Sequence, residues 1–156
     1  MKNKVVLTII ITVISLILVD QLIKCVLQYY YEEPIEKGIL TIEMVKNDGI
    51  AFSINSGNTK NIVLTVIVLL IVINFIRNQK DRIDETTLIA LGLILAGGIS
   101  NLIDRIVHGG VIDFIKIEDF SVFNIADCYV VIGWILIIIN FIKINKELIG
   151  EKKCEK

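Results

Sequence analysis

The chain has almost no proline and almost no histidine, and few cysteines. Its 156 residues hold one proline, Pro34, and one histidine, His108. Few prolines leave helices free to run long. Cys25, Cys128 and Cys154 form no C-x-x-C pair, and with a single histidine they assemble no zinc pattern. No metal and no cofactor are therefore expected. An excess of positive charge is missing as well. With 16 Lys and Arg against 17 Asp and Glu, a net charge of -1 and no basic stripe, no nucleic-acid partner is expected.

Apolar residues fill that space. They make up 54% of the chain, and a mean hydropathy of +0.74 lies far outside the range of a soluble domain. The class that remains is an all-α integral membrane protein. Lys2 and Lys4 precede an apolar run from Val5 to Val19 that continues through Leu22 and Ile23, enough to cross a hydrocarbon core of about 30 Å. No small-residue cleavage site follows it, so it reads as a span and not as a removable leader. The whole chain, 1–156, reads as a single membrane domain. Its four transmembrane helices are expected at about 5–23, 62–76, 88–103 and 129–144. Gly92, Ala96, Gly97, Gly98 and Ser100 give the third span a small-residue surface that lets backbones approach closely in lipid. The lysine-rich tail after the fourth reads as disordered.

The connections fall into two kinds. Lys2 and Lys4, then Arg77, Lys80 and Arg82, then Lys143, Lys146, Lys152, Lys153 and Lys156 lie on short segments on one side, which the positive-inside rule makes cytoplasmic, with both termini. The other side receives longer outer segments, about 24–61 and 104–128. Tyr29, Tyr30 and Tyr31 suit a membrane interface. Leu40, Ile42 and Met44 alternate with Thr41 and Glu43, which predicts a short half-buried strand within residues 38–45. Asn47-Asp48-Gly49 marks a turn before Ile50–Ile54, a second strand or an extended loop. A small β-rich extracytoplasmic segment is expected to lie on the membrane.

Under that topology the polar residues converge. Asp20 and Lys24, Asn47, Asn101 with Asp104 and Arg105, Asp113, and Asn124 with Asp127 come from separate stretches, yet all fall at the outer face. Ionisable groups beside hydrocarbon are costly, so such a cluster is a functional-site candidate. One polar site built by three helix ends and two loops is expected. Structural roles account for part of it. Asp20 and Lys24, spaced i, i+4, would anchor a helix end. Asp104 and Arg105 could close the third helix, Asn124 and Asp127 could cap the fourth, and His108 before Gly109-Gly110 reads as a turn. A proton-relaying transporter and an assembly protein with a polar outer end stay open as functions. Against both stand the clustered carboxylates and the lack of acids in the middles of spans two and four.

Taken together, Asp20-Gln21-Leu22-Ile23-Lys24, Asn47-Asp48-Gly49-Ile50-Ala51-Phe52, Gly97-Gly98-Ile99-Ser100-Asn101-Leu102-Ile103-Asp104-Arg105, Val111-Ile112-Asp113-Phe114 and Phe123-Asn124-Ile125-Ala126-Asp127 resemble the bacterial lipoprotein signal peptidases, signal peptidase II. The resemblance covers nearly the whole chain. Asp48 and Ile50 fill variable positions of N-x-G-x-A-F, Ser100 stands just before Asn101, and the stretch from Asp113 to Asp127 is short. The resemblance implies an aspartic endopeptidase of the bacterial inner membrane, its active site at the outer face. It would cleave diacylglyceryl-modified prolipoproteins before the lipid-modified cysteine, with membrane lipid around it. It implies Asp113 and Asp127 as the catalytic pair. Asp20, Lys24, Asn47, Gly49, Asn101, Asp104, Arg105, Asn124 and Ala126 would bind substrate or support the site.

Those residue types suit that chemistry on their own terms. Two adjacent carboxylates share one proton because like charges close together cannot both ionise. One can deprotonate water while the other protonates the scissile carbonyl. Asp113, between Ile112 and Phe114, is expected to be the neutral member. Asp127, beside the unpaired N–H groups of a helix start, is expected to face water as the base.

Overall fold

The computed structural model of the chain describes residues 2–30, 33–49, 58–79, 83–118 and 121–154. In chain order the elements are α1 (Lys2–Tyr30), β1 (Ile35–Lys37), β2 (Leu40–Asn47), α2 (Asn58–Gln79), α3 (Glu85–Val107), β3 (Val111–Ile117), β4 (Ser121–Phe123) and α4 (Ile125–Cys154). The four helices are long and apolar enough to cross a membrane, and the strands make one small antiparallel sheet. The stretch Ile50–Ile54 lies outside the described residues.

Every helix overruns its apolar run, because hydropathy marks only the part in hydrocarbon while the i to i−4 ladder continues past it. This has two consequences. Asp20 and Lys24 sit buried and well inside α1, not at the helix end where they were expected. The tail expected to be disordered continues α4 to Cys154. Its Lys, Glu and Leu residues are strong helix formers, and Gly150 alone does not stop the helix.

α3 is the helix around which the others pack. In an 18-residue apolar stretch of α3 44% of residues are buried, against 6–11% in the equivalent stretches of the other three. The small residues expected to allow close backbone approach do so towards three neighbours. A Cβ on Gly92 would touch Ile9 of α1, one on Gly98 would strike Leu69 of α2, and one on Gly97 would run into the Ala126 carbonyl of α4. Gly133 of α4 returns the contact, facing the Ala90 carbonyl and Ile94. Without a hydrophobic drive between helices in lipid, such backbone approach supplies the dispersion contact that holds them.

The sheet runs β1-β2-β3-β4. Gly38, expected to begin the first strand, instead turns the β1–β2 hairpin at φ +62. β2 and β3 come from the two longer connections, after α1 and after α3, and pair antiparallel, with Ile42 opposite Ile115 and, after a shift in register, Val45 opposite Asp113 and Asn47 opposite Val111. That shift is a β-bulge, and it matters to the site. In an unbroken strand Ile42 and Asn47 would face opposite sides. The extra residue puts Ile42, Val45 and Asn47 on one face with Asp113, which Val45 opposes and to which Asn47 is diagonal.

Candidate active site

The site begins at the head of α4, whose first backbone N–H groups have no partners within the helix. Asn124 caps it. Asn124 Oδ1 accepts from the Asp127 N–H at 2.9 Å, and Asp127 Oδ2 accepts from the Asn124 N–H at 3.2 Å, a reciprocal capping box. The Ala126 N–H donates to Asp20 Oδ1 at 3.0 Å. Capping and site-building are thus one arrangement here. The same geometry that starts the helix aims the Asp127 carboxyl.

Asp113 reaches this point from β3. Its Oδ1 accepts from Asn124 Nδ2 at 2.8 Å and its Oδ2 from Asn47 Nδ2 at 2.9 Å. The Asn47 amide can point only one way, because its Oδ1 is taken by the Gly49 N–H at 2.9 Å. Asn124 Nδ2 also donates to Asn101 Oδ1 at 3.0 Å and to the Ile112 carbonyl at 3.2 Å. Asn101 Nδ2 completes the ring, donating to Asp127 Oδ1 at 2.7 Å. Asn124, fully buried, therefore touches both acids. Asp113 is 2% exposed, whereas Asp127 is half-buried.

Burial pushes the Asp113 carboxyl up from 3.8 to about 6. The bond from Asn47 opposes the rise, the Asp127 charge adds to it, and Lys24 and the bond from Asn124 oppose it. Burial thus favours the protonated form of Asp113.

Beneath the pair lies a second layer. Lys24 Nζ is 2.6 Å from Asp20 Oδ2 and 2.6 Å from Asp104 Oδ2, and 3.4 Å from Asn101 Oδ1. Asp104 Oδ2 also accepts from the Ile112 N–H at 3.2 Å. Asp104 does not terminate α3, which runs on to Val107 with His108 as its exposed C-cap. Arg105 is half-buried beside this cluster. Its Nη1 reaches the Asn101 carbonyl at 3.4 Å, and its own carbonyl accepts from Asn58 Nδ2 at 3.0 Å. All the residues singled out from the sequence are thus drawn together except the stretch beyond Gly49, which lies outside the described residues.

Two contributors were not singled out. Gln21 Nε2 donates to Asp104 Oδ1 at 2.7 Å and to Ser100 Oγ at 3.0 Å, and Ser100 Oγ donates to Asp20 Oδ2 at 2.7 Å. Ser100 reads as a small packing residue in the sequence. The usable signal was its i, i+4 spacing to Asp104, which places it on the same face. Among the described residues no group of three His, Cys, Asp or Glu side chains is arranged to hold a metal. Cys25 and Cys128 are free thiols.

Residues 12–143 match the profile of a family described as Signal peptidase (SPase) II. The chain is 36% identical over 135 residues to a lipoprotein signal peptidase of Halothermothrix orenii, covering 83% of this chain and 91% of that one. It is 32% identical over 154 residues to one of Staphylococcus haemolyticus, covering 92% and 96%. A solved bacterial membrane enzyme superposes with a TM-score of 0.78 at 33% identity, over 87% of this chain and 88% of that one.

Proposed function

Because the chain belongs to the signal peptidase II family, we propose that it removes signal peptides from lipid-modified prolipoproteins by aspartic catalysis, with Asp113 and Asp127 as the catalytic pair. It is a multi-pass membrane protein. The observation that carries the aspartic reading is Asn124, whose buried amide and backbone hold Asp113 and Asp127 at once. Two carboxyls from separate elements are thereby kept together, one raised to about 6 by burial and by its neighbour.

The chemistry follows from these environments. Asp127, with its oxygens accepting from Asn101 and the Asn124 N–H, takes a proton from water. Asp113 gives its proton to the scissile carbonyl oxygen as the tetrahedral centre forms, and the pair then protonates the leaving amine. Since the acids titrate together, the proton belongs to the pair and returns to it at the end of the cycle. The half-buried Arg105 guanidinium supplies donors that could hold a substrate carbonyl, and the substrate would be a diacylglyceryl-modified precursor in the bilayer.

The distribution of Lys and Arg supports cytoplasmic termini and a site at the outer boundary of the bacterial inner membrane. In a Cys25→Ser, Cys128→Ser background, an impermeant thiol reagent should label Glu36→Cys in intact cells and miss Cys154; the reverse pattern would overturn the orientation. The catalytic reading is tested with Asp113→Asn, Asp127→Asn and the double variant on a lipidated precursor. Residues acting as a unit are not additive, so all three should lose rate severely and almost equally. A single variant that folds and cleaves near the wild-type rate would remove that aspartate from the pair.

A further inference from the structure

The residue immediately before each of Asp113 and Asp127 has its backbone N–H held by a different buried aspartate. The Ile112 N–H donates to Asp104, and the Ala126 N–H donates to Asp20. Lys24 bridges those two aspartates. An unbroken series of contacts thus runs Ile112, Asp104, Lys24, Asp20, Ala126, crossing β3, α3, α1 and α4. Each end lies one residue from a carboxyl of the pair.

Charge alone does not complete this series. Asp20 is 0% exposed, Asp104 1% and Lys24 3%, so two carboxylates face one ammonium and the surplus negative charge needs neutral donors. Ser100 supplies one to Asp20, and Gln21 supplies one to Asp104. The Gln21 amide also donates to Ser100 Oγ at 3.0 Å and to the Ser100 carbonyl at 3.3 Å. Asp20 and Asp104 are thereby joined twice, once through Lys24 and once through Ser100 and Gln21. The two links differ in kind. An ammonium is a point charge on a flexible stem that tolerates a range of separations, whereas a hydroxyl and an amide impose direction and length.

We propose that Gln21 and Ser100 are positioning residues for the reaction: with Lys24 they close a buried clamp between Asp20 and Asp104 that sets the separation of the Asp113 and Asp127 carboxyls. The proposal rests on the reading of that pair as catalytic. Neither side chain touches the pair, so both act through the backbone of Ile112 and Ala126. Misplacing reacting groups by about 1 Å can cost about a hundredfold in rate, and the clamp works at that scale.

Ser100→Ala and Gln21→Met remove the directional link with little change in volume and leave the Lys24 bridge in place. Each should lower kcat about ten- to hundredfold with KM unchanged, and the double variant should be no worse than either alone, since both serve one link. The apparent pKa values of the pair should also move in the pH profile of kcat, because their coupling depends on separation. Among the described residues the charged groups facing the pair are Asp20 and Lys24 of α1 and Asp104 and Arg105 of α3, with the Cys128 thiol of α4 beside Asp127, while β2 contributes the uncharged Asn47. Neither variant replaces any of those charged residues, so a displaced limb reports the loss of the link. Ser100→Thr, which restores the hydroxyl, should recover most of the rate. Ser100→Cys keeps the volume and weakens the donor, and it serves if Ser100→Ala does not accumulate. Wild-type kcat and unmoved limbs in folded variants would overturn the clamp, as would a loss of rate that only follows the loss of folded protein. A fully active Asp113→Asn variant would instead sink the catalytic reading. The clamp would then still be judged by a carbon-13 carboxyl titration of Asp113, which should differ between wild type and Ser100→Ala.

Discussion

Replacing Asn47 with leucine should move the alkaline limb of the pH–rate profile to higher pH. Asn47 Nδ2 donates to Asp113 Oδ2 at 2.9 Å, and this bond is the chief influence holding down a carboxyl that burial has raised to about 6. On the proposed mechanism Asp113 acts with its proton on, so kcat/KM should be high below its pKa and fall as pH rises through it. A hydrogen bond to a charged acceptor contributes roughly 1.5–3 kcal/mol, and one pH unit corresponds to about 1.4 kcal/mol. Losing the bond should therefore carry the limb upward by about one to two units, while kcat at the optimum falls because Asp113 is less well held. Leucine also leaves the buried Gly49 N–H without the Asn47 oxygen, costing about 1–3 kcal/mol of stability. Rates should accordingly be normalised to folded enzyme in detergent. Asn47→Asp keeps an acceptor for Gly49 but sets a like charge beside Asp113, so its limb should move at least as far. A limb that stays near pH 6 in both folded variants, or moves down, would show that Asp113 does not carry the proton that limits the rate.

The same shift has a consequence for stability. A folded-state value of about 6 against 3.8 leaves Asp113 without penalty below about pH 4, and the penalty grows to about 3 kcal/mol as pH rises through 6. The Asp113→Asn amide does not titrate, so its melting temperature relative to wild type should rise between pH 4 and pH 8; a constant difference across that range would contradict the assignment. Gly110→Ala should damage activity more than folding. Its Cβ would meet Asp48 Oδ1, with Lys46 Cε at 3.0 Å and the Asn47 carbonyl at 3.1 Å, forcing back the end of β2 at about 1–3 kcal/mol. A kcat loss of about a hundredfold is expected, and wild-type kcat in the folded variant would show that Asn47 is not held from this side.

What could be read from the sequence was whatever depends on composition or on short spacing. Four apolar runs announced four helices, and the carboxylates and amides near the ends of those runs announced the polar cluster that the fold draws together. The cap at Asn124 was legible because N-x-x-D spacing is local. What could not be read depends on partners distant in the chain. Asp20 and Lys24 read as a helix anchor because i, i+4 spacing shows one helix face and not the α3 face against it, where Asp104 and Ser100 stand. The pairing of β2 with β3 joins two segments separated by the whole of α2 and α3. Its register follows from no local rule. The alternation of Leu40, Ile42 and Met44 did reveal a strand, but continued through Asn47 it would turn that side chain away from the face shared by Ile42 and Asp113. The bulge between Ile42 and Val45 reverses this parity. It disturbs the strand's own periodicity in order to bring Asn47 to Asp113, so the site is least legible where regular secondary structure yields to it.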